Sequence, residues 1–486
     1  MKDQTYFLKK AEENRPFLFT KKLSPKSDKT HFQTGDSIVL DLGDHCVGHF
    51  SFQADIADIF FTAPVGLIIR FGENLQELED DYSKYHGNLA KTWFQEERVI
   101  IDYPMEVKIA RRYSCRYIKI TVEETRRTVV LSDFSFVATT SADQTKLSSY
   151  KTEDSLLQEI DRVSAATLRE CMQTFFEDGP KRDRRLWIGD LRLEALTNYY
   201  TYQNLEIVKR CLYLFAAGKC NALGFVPSFI YETPKFYSGS SFIADYALLY
   251  VVTLCDYFEH TGDKETVFDL LELCKSQLNS FENILDEDLI VIPQKGWFFF
   301  IDWCPELRGY TALQGVYLYT LDRFSQLLEK IGDDECERYR NLLCRVRAAS
   351  RKKLFNEKEG VFQNALDNQQ KSVHSQVWMI LGGAIKGEEA ERALRLTLED
   401  ATAKKPVTPY MWHYVIDAMF DIGMREEGLK IIKDFWGGMI ARGADTFFEV
   451  YVPEDPEFSP YEDRMVNSLC HAWSCTPAYF IRKYTL

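Results

Sequence analysis

The sequence is poor in histidine, with eight in 486 residues, and none of its twelve cysteines forms a Cys-x-x-Cys pair. No metal centre is inferred, and nothing in the chain calls for another cofactor. Long apolar runs are absent. The most apolar stretch, residues 242–255, is interrupted by Asp245 and falls short of the roughly 20 residues that cross a bilayer, so no membrane partner is expected. The first seventeen residues carry charges at short intervals and lack the apolar segment of a signal peptide. Basic residues are in deficit: 59 Lys and Arg against 73 Asp and Glu give a net charge of −14, which repels a phosphate backbone and argues against nucleic acid. Also missing are a Gly-x-Ser-x-Gly elbow, a P-loop and a dinucleotide-binding Gly-x-Gly-x-x-Gly in context, so serine hydrolase, NTPase and nicotinamide-dependent readings lose support.

What is present suits a large soluble globular protein. The chain is 45% hydrophobic and 14% aromatic, enough for two to four domains with sizeable cores. Scattered cysteines without a leader read as reduced core thiols, which points to the cytoplasm.

The hydrophobic period divides the chain in two. Up to about Ser141, short β-branched segments such as 36–42, 65–71, 97–102, 117–122 and 128–131 are separated by Gly, Asp or Pro turns, the pattern of an antiparallel β-sandwich over residues 1–141. A small polar run at 139–146 reads as a linker. From residue 150 to 486 the period is helical. Twelve helices are predicted near 153–175, 189–202, 204–217, 241–260, 264–279, 311–330, 334–354, 372–385, 388–400, 408–421, 424–440 and 465–484. Connectors at 260–266, 331–337, 386–391 and 422–427 each place Gly where a left-handed C-cap is needed, with acidic residues following at the next helix start. Aromatic, apolar helices alternate with helices charged on one face, so six hairpins with inner and outer layers, an all-α (α/α)6 toroid, are expected.

If short glycine connectors occupy one end of the hairpins, the longer loops 176–189, 219–240, 282–309 and 441–464 share the opposite rim. They carry the unusual chemistry. The first runs from Asp178 to Asp190 and packs three carboxylates, four basic residues and Trp187 into thirteen positions. Residues 296–303 set aromatics around Asp302 and Trp303, and Glu449 stands in an otherwise apolar run that requires a partner or a role for it. His471 and Trp473 open the last predicted helix. Each has a structural alternative: caps and ion pairs for the first loop, a packed loop for Asp302, a core donor for His471. Separated carboxylates beside flat aromatic faces make a glycosidase site plausible.

In this order, the run Asp178 to Asp190, the pair Asp302 and Trp303, Thr446-Phe-Phe-Glu449 and Ser468-Leu-Cys-His471-Ala-Trp473 resemble the bacterial α-L-rhamnosidases of glycoside hydrolase family 78. Residues 35–42, 48–50, 70–73 and 116–118 are similar to the β-sandwich that precedes the barrel in that family. The resemblance implies an inverting hydrolase of terminal α-L-rhamnose or a related deoxy sugar, with Glu449 as the general base. It implies Asp178, Trp187 and Asp190 as substrate-binding residues, and Arg182, Arg184, Asp302, Trp303 and His471 are expected in the same role. The common family pattern places a glutamate acid where this chain has Arg184, whose guanidinium cannot donate usefully to a leaving group. Asp183 is therefore expected as the general acid, standing roughly 6.5–9.5 Å from the base if the site inverts. Arg184 and its basic neighbours Lys181, Arg182 and Arg185 leave open a substrate with an acidic sugar, and loss of the family's acid leaves open an inactive carbohydrate-binding protein. The chain ends directly after the last predicted helix, without the C-terminal β-sandwich of longer members, so a minimal version acting on small glycosides is expected, with an exposed sandwich face available for homo-oligomer formation.

Overall fold

The computed structural model describes residues 2–57, 63–292 and 297–485. Gly296 of the expected loop 296–303 lies outside the described residues, as do 293–295.

The first helix was not foreseen. α1 (Gln4–Glu13) starts where the Asp3 side chain accepts from Tyr6 N at 2.9 Å, and it buries only Phe7 and Ala11. So short a segment with two core contacts carries little periodic signal. α1 precedes the strands in sequence, yet it packs on the helical part, where the buried Arg210 donates to Ala11 O at 2.5 Å.

An antiparallel sheet domain follows, of β1 (Phe19–Leu23), β2 (His31–Phe32), β3 (Ser37–Ile56), β4 (Val65–Gly72), β5 (Glu96–Ile101), β6 (Met105–Lys108), β7 (Tyr113–Glu124) and β8 (Val129–Thr140). The strands lie in the order β1-β8-β3-β7-β4-β5, with β2 on β8 and β6 on β3. The long β3 pairs first with β7, over Ser37 to Gly48, and then with β8 and β6, with a register irregularity between Asp41 and Cys46. Period-two alternation builds the core: Val65, Leu67, Ile69 and Phe71 of β4 point inward against residues such as Phe50, Ile118 and Phe136. His45 and His49 stand four residues apart, a zinc-ligand spacing on a helix, but they lie on β3, where four residues span about 13 Å.

The helical domain contains α2 (Ser155–Cys171), α3 (Ile188–Tyr200), α4 (Leu205–Ala216), α5 (Ala244–Thr261), α6 (Lys264–Glu282), α7 (Tyr310–Ile331), α8 (Cys336–Leu354), α9 (Val373–Leu381), α10 (Gly387–Glu399), α11 (Pro409–Asp421), α12 (Arg425–Ile431), α13 (Gly437–Ala441) and α14 (Pro477–Tyr484). Helices α3, α5, α7, α9 and α11 pack in succession, and a 3-10 turn at Ala472–Ser474 touches both α11 and α3. α4, α6, α8, α10 and α12 each pack outside a member of that series. Gly262, Gly332 and Gly423 adopt the left-handed conformation expected of the connectors. At the third connector, 386–391, Gly383 ends the helix, and Gly387, also left-handed, opens the next.

Two expected helices differ. Residues 424–440 are α12 and α13 joined by a π turn at Ile432–Trp436. Residues 465–484 form a helix only from Pro477, whose fixed φ favours the first turn. His471 is extended rather than helical, which frees its side chain to reach across the domain.

Candidate active site

Three of the four expected rim loops, 176–189, 282–309 and 441–464, line one cavity of about 380 Å³; loop 219–240 does not, although Ser241 and Ile243 just after it do. Of the residues singled out in the sequence, Asp178, Arg182, Asp183, Trp187, Asp190, Trp303, Glu449 and His471 line it; Arg184 and Asp302 do not.

Glu449 lies at its base and is fully buried. Its Oε1 accepts from the Tyr461 hydroxyl at 2.6 Å, and its Oε2 accepts from Arg182 and from Ser468 N at 3.2 Å. Main-chain bonds fix the segment: Glu449 N donates to Ser468 O at 2.9 Å, and the Trp473 indole donates to Glu449 O at 2.9 Å. The Arg182 guanidinium also stacks on the Tyr461 ring, 4.2 Å from its centroid. Burial opposes the charge on Glu449, but Arg182, His471 and the Tyr461 hydroxyl outweigh it and hold the carboxyl below the ordinary range. The side chain is an ionised acceptor, suited to take a proton from water.

The first loop, which supplies Arg182, also brings Asp183 to the cavity. Asp183 and Arg184 both have positive φ, 61° and 52°. Two successive left-handed residues that are not glycine store strain of about 1–3 kcal/mol each, a cost found where a turn must aim a side chain. The result separates the neighbours. Asp183 faces the cavity, 22% exposed and 3.9 Å from both Arg182 Nη1 and Arg185 Nη1. Arg184 turns away and donates to Pro180 O at 2.8 Å, Arg112 O at 2.8 Å and Lys181 O at 3.4 Å.

Asp178 and Asp190 sit deeper. Asp178 Oδ1 accepts from Arg185 N at 3.0 Å, while burial, then Asp183 and Asp190, push its carboxyl well above the ordinary range. Asp190 lies 3.2 Å from His471 Nε2; burial raises it despite that partner. One helical turn further along α3, both carboxylate oxygens of buried Glu194 lack a hydrogen-bond partner among the described residues, and burial followed by Asp190 and Asp178 pushes it well up.

Aromatic faces complete the walls. Trp187 packs on Phe229 at 4.6 Å through pairing of β9 (Leu186–Trp187) with β10 (Phe229–Tyr231). Phe300 stacks on Trp473 at 5.8 Å and meets Trp303 edge-on at 5.1 Å. The buried Asp245 at the start of α5 holds this aromatic loop by accepting from Phe300 N at 2.8 Å and Ile301 N at 3.2 Å; burial raises it to about 6. Floor residues are buried, whereas Phe298, near the mouth, is 50% exposed.

Asp302 is instead a structural hub. Its oxygens accept from Val407 N at 2.8 Å, Thr408 N at 3.1 Å and the Thr408 hydroxyl at 2.6 Å, and His374 Nε2 is 2.8 Å away. The basic run is also largely engaged: Lys181 pairs with Glu77, Arg182 with Glu449, and Arg184 with carbonyls, while Arg185 lies over Phe229 at 4.7 Å.

Residues missed in the sequence are Tyr461 and Tyr246 from the helical domain and Leu89 and Trp93 from the segment joining β4 to β5, whereas Phe300 belongs to the aromatic run 296–303 already singled out. A tyrosine within the fourth loop was a usable signal for Tyr461. Nothing local pointed to residues of the sheet domain in the cavity wall. A larger hollow of about 800 Å³ beside α1 holds two phenylalanines, Phe7 and Phe268, and two carboxylates, Asp269, which pairs with Lys2, and Glu272.

Two family models match. One, the glycosyl hydrolase family 78 alpha-rhamnosidase N-terminal domain, covers residues 18–140; the other, the bacterial alpha-L-rhamnosidase six-hairpin glycosidase domain, covers 145–485. Among solved structures, a rhamnosidase from Klebsiella oxytoca with rhamnose bound is 34% identical, with a TM-score of 0.95 over 100% of this chain and 99% of that one. A family 78 rhamnosidase of Bacillus sp. GL1 is 23% identical, with a TM-score of 0.77 over 92% of this chain and 46% of that one. An α-L-rhamnosidase from Dictyoglumus thermophilum is 18% identical, with a TM-score of 0.74 over 96% and 52%. This chain thus spans about half the length of these last two, whose likeness concerns the fold. No curated protein matches the chain.

Proposed function

The chain belongs to glycoside hydrolase family 78, the α-L-rhamnosidases, and from that premise we propose that this glycosidase releases terminal α-L-rhamnose, or a related deoxy sugar, from small glycosides with inversion. The observation that carries the reading is the presence in one aromatic-walled cavity of Glu449, held ionised by Arg182 and Tyr461, and of Asp183, whose carboxylate lies 3.9 Å from the same guanidinium. Glu449 removes a proton from a water that attacks the anomeric carbon. Asp183 gives its proton to the glycosidic oxygen as the bond from that carbon to that oxygen breaks. Asp178, Asp190, His471 and Arg182 bind sugar hydroxyls, and Trp187 and Trp303 offer flat faces to C–H groups. The volume is near the lower end of the roughly 300–1,000 Å³ of small-molecule sites, which favours one terminal sugar over a polymer segment. The rhamnose bound in the Klebsiella oxytoca relative supports the choice of sugar.

The series of helices α3, α5, α7, α9 and α11 is taken as the inner ring of a closed (α/α)6 toroid, and the sheet domain as a β-sandwich. All twelve cysteines are unpaired, which favours a reducing compartment such as the cytoplasm. Engagement of Lys181, Arg182 and Arg184 within the protein speaks against an acidic sugar.

Turnover of a panel of aryl glycosides, headed by the α-L-rhamnoside, tests the reading, with NMR identifying the first-formed anomer. Rhamnoside hydrolysis giving the β-anomer is expected. Retention would overturn the roles of Asp183 and Glu449, and sugar binding without turnover of any glycoside would favour a carbohydrate-binding protein.

A further inference from the structure

Behind the cavity wall, and not lining it, lies a buried charge cluster shared by the two domains. The Lys181 side chain is only 4% exposed. A buried ammonium requires partners, and its carboxylates come from the sheet domain: Glu77 Oε1 at 2.6 Å and Glu73 Oε2 at 3.8 Å. Glu73, which follows β4, accepts from the Ser114 hydroxyl at 3.0 Å and faces His45 Nε2 at 3.4 Å. Glu77 accepts from Glu73 N at 2.9 Å, so the two glutamates are fixed to each other.

The cluster grips one short segment. Arg182 Nε donates to Val466 O at 2.5 Å, Lys181 Nζ to Asn467 O at 3.0 Å, and Leu469 N to Glu73 Oε2 at 2.6 Å. The residue between them, Ser468, makes the two main-chain contacts to Glu449 described above. Segment 466–469 therefore has the sheet domain's charges on one side and the base on the other. Lys181 is also the chain neighbour of Arg182, the cation that holds Glu449 ionised.

We propose that the sheet domain completes the catalytic centre: Glu73 and Glu77 act through Lys181 as positioning residues for Arg182 and Glu449. A contact serving only to hold two domains together does not need buried ions, because desolvation commonly cancels their attraction. The pair Arg169–Asp44, 3.0 Å apart and partly exposed, joins the domains without reaching the base. The cost of burying Lys181, Glu73 and Glu77 is instead matched to a place where small displacements matter, since about 1 Å at a reacting group lowers turnover by about 10²-fold.

The proposal rests on Glu449 being the base, and the test separates the two ideas. Wild type, Glu73→Gln, Glu77→Gln, Lys181→Met and Asp44→Asn are compared on an aryl α-L-rhamnoside across pH, with thermal melts. The first three substitutions are expected to lower kcat by about 10²-fold with little change in KM. The acid limb of kcat/KM should move to higher pH, because a loosened Arg182 no longer holds Glu449 ionised. Asp44→Asn should leave both unchanged. Lower melting temperatures with wild-type kcat, KM and acid limb would reduce the cluster to a structural joint and overturn the proposal alone. Absence of wild-type turnover would remove the functional reading and this inference with it. If Lys181→Met does not fold, Glu77→Gln, near-isosteric and 12% exposed, decides the matter.

Discussion

In the cavity Glu449 is buried among donors: a guanidinium, a phenol and an amide reach its two oxygens. Asp178 and Asp190 of the same cavity are buried as deeply, but main-chain amides and a histidine are what face them, and Glu194, one turn further along α3, has no hydrogen-bond partner among the described residues. The first carboxyl is lowered and the other three are raised. Burial is common to all four, so it does not decide protonation; the supply of cation and donors does. One cavity can then hold a carboxyl whose ionised form is favoured beside carboxyls whose neutral form is favoured.

The largest expected effect comes from removing the ionised member. Glu449→Gln should lower kcat by about 10²–10⁴-fold on the rhamnoside. It should also destabilise the protein near neutral pH by about 3–5 kcal/mol, because Arg182 is left buried without its counter-charge. Since the folded carboxyl lies below its unfolded value, its stabilisation is fully present above the unfolded value and is lost as pH falls through the folded one. Denaturant melts should show wild type and variant converging in acid. A gap that persists there would mean that shape, not charge, holds the base wall.

Next in size is Asp183→Asn, which tests whether the first loop supplies the acid. Loss of a general acid should cost about 10²-fold or more for alkyl leaving groups and much less for strongly activated aryl ones, which depart without a proton. An equal loss across leaving groups would move Asp183 from acid to substrate binding.

Asp178→Asn and Glu194→Gln should sharpen the contrast by the opposite sign of stability. Carboxyls raised in the folded state destabilise it once pH exceeds their unfolded values, near 4, and increasingly so up to the folded values. Both variants should therefore gain about 1–3 kcal/mol near pH 7 and nothing at pH 3. Asp178→Asn should lose activity at the same time, exposing a stability cost carried for function.

Much of this was legible in the sequence, and unevenly. Hairpins were readable because Gly262, Gly332 and Gly423 mark left-handed ends between strongly periodic helices. The resemblance brought Asp178, Asp183, Trp187, Asp190, Trp303, Glu449 and His471 forward, and these do line one cavity. Asp302 misled because a carboxylate ringed by aromatics looks the same whether it faces substrate or caps α11 through Thr408. Glu73, Glu77, Leu89 and Trp93 reach the site across a domain boundary, with Glu77 lying 104 residues from Lys181 and Glu73 lying 396 from Leu469, so no local pattern reveals them.

Arg184 gives the smallest expected effect and the cleanest test of how the first loop is divided. Its left-handed backbone turns the guanidinium from the cavity onto three carbonyls, one of them Arg112 O in the sheet domain. Burial, and then the nearby Arg112, lower its pKa to about 10, which leaves it charged near neutrality. Arg184→Ala removes those bonds without touching substrate, so it should cost about 1–3 kcal/mol of stability. Turnover should change by less than about tenfold, and equally on neutral and acidic glycosides, because no cavity-lining group has been removed. A loss confined to acidic glycosides would return Arg184 to the substrate and restore the acidic-sugar alternative. A loss as large as that of Asp183→Asn would mean that the strained turn cannot hold Asp183 in place without the anchor beside it.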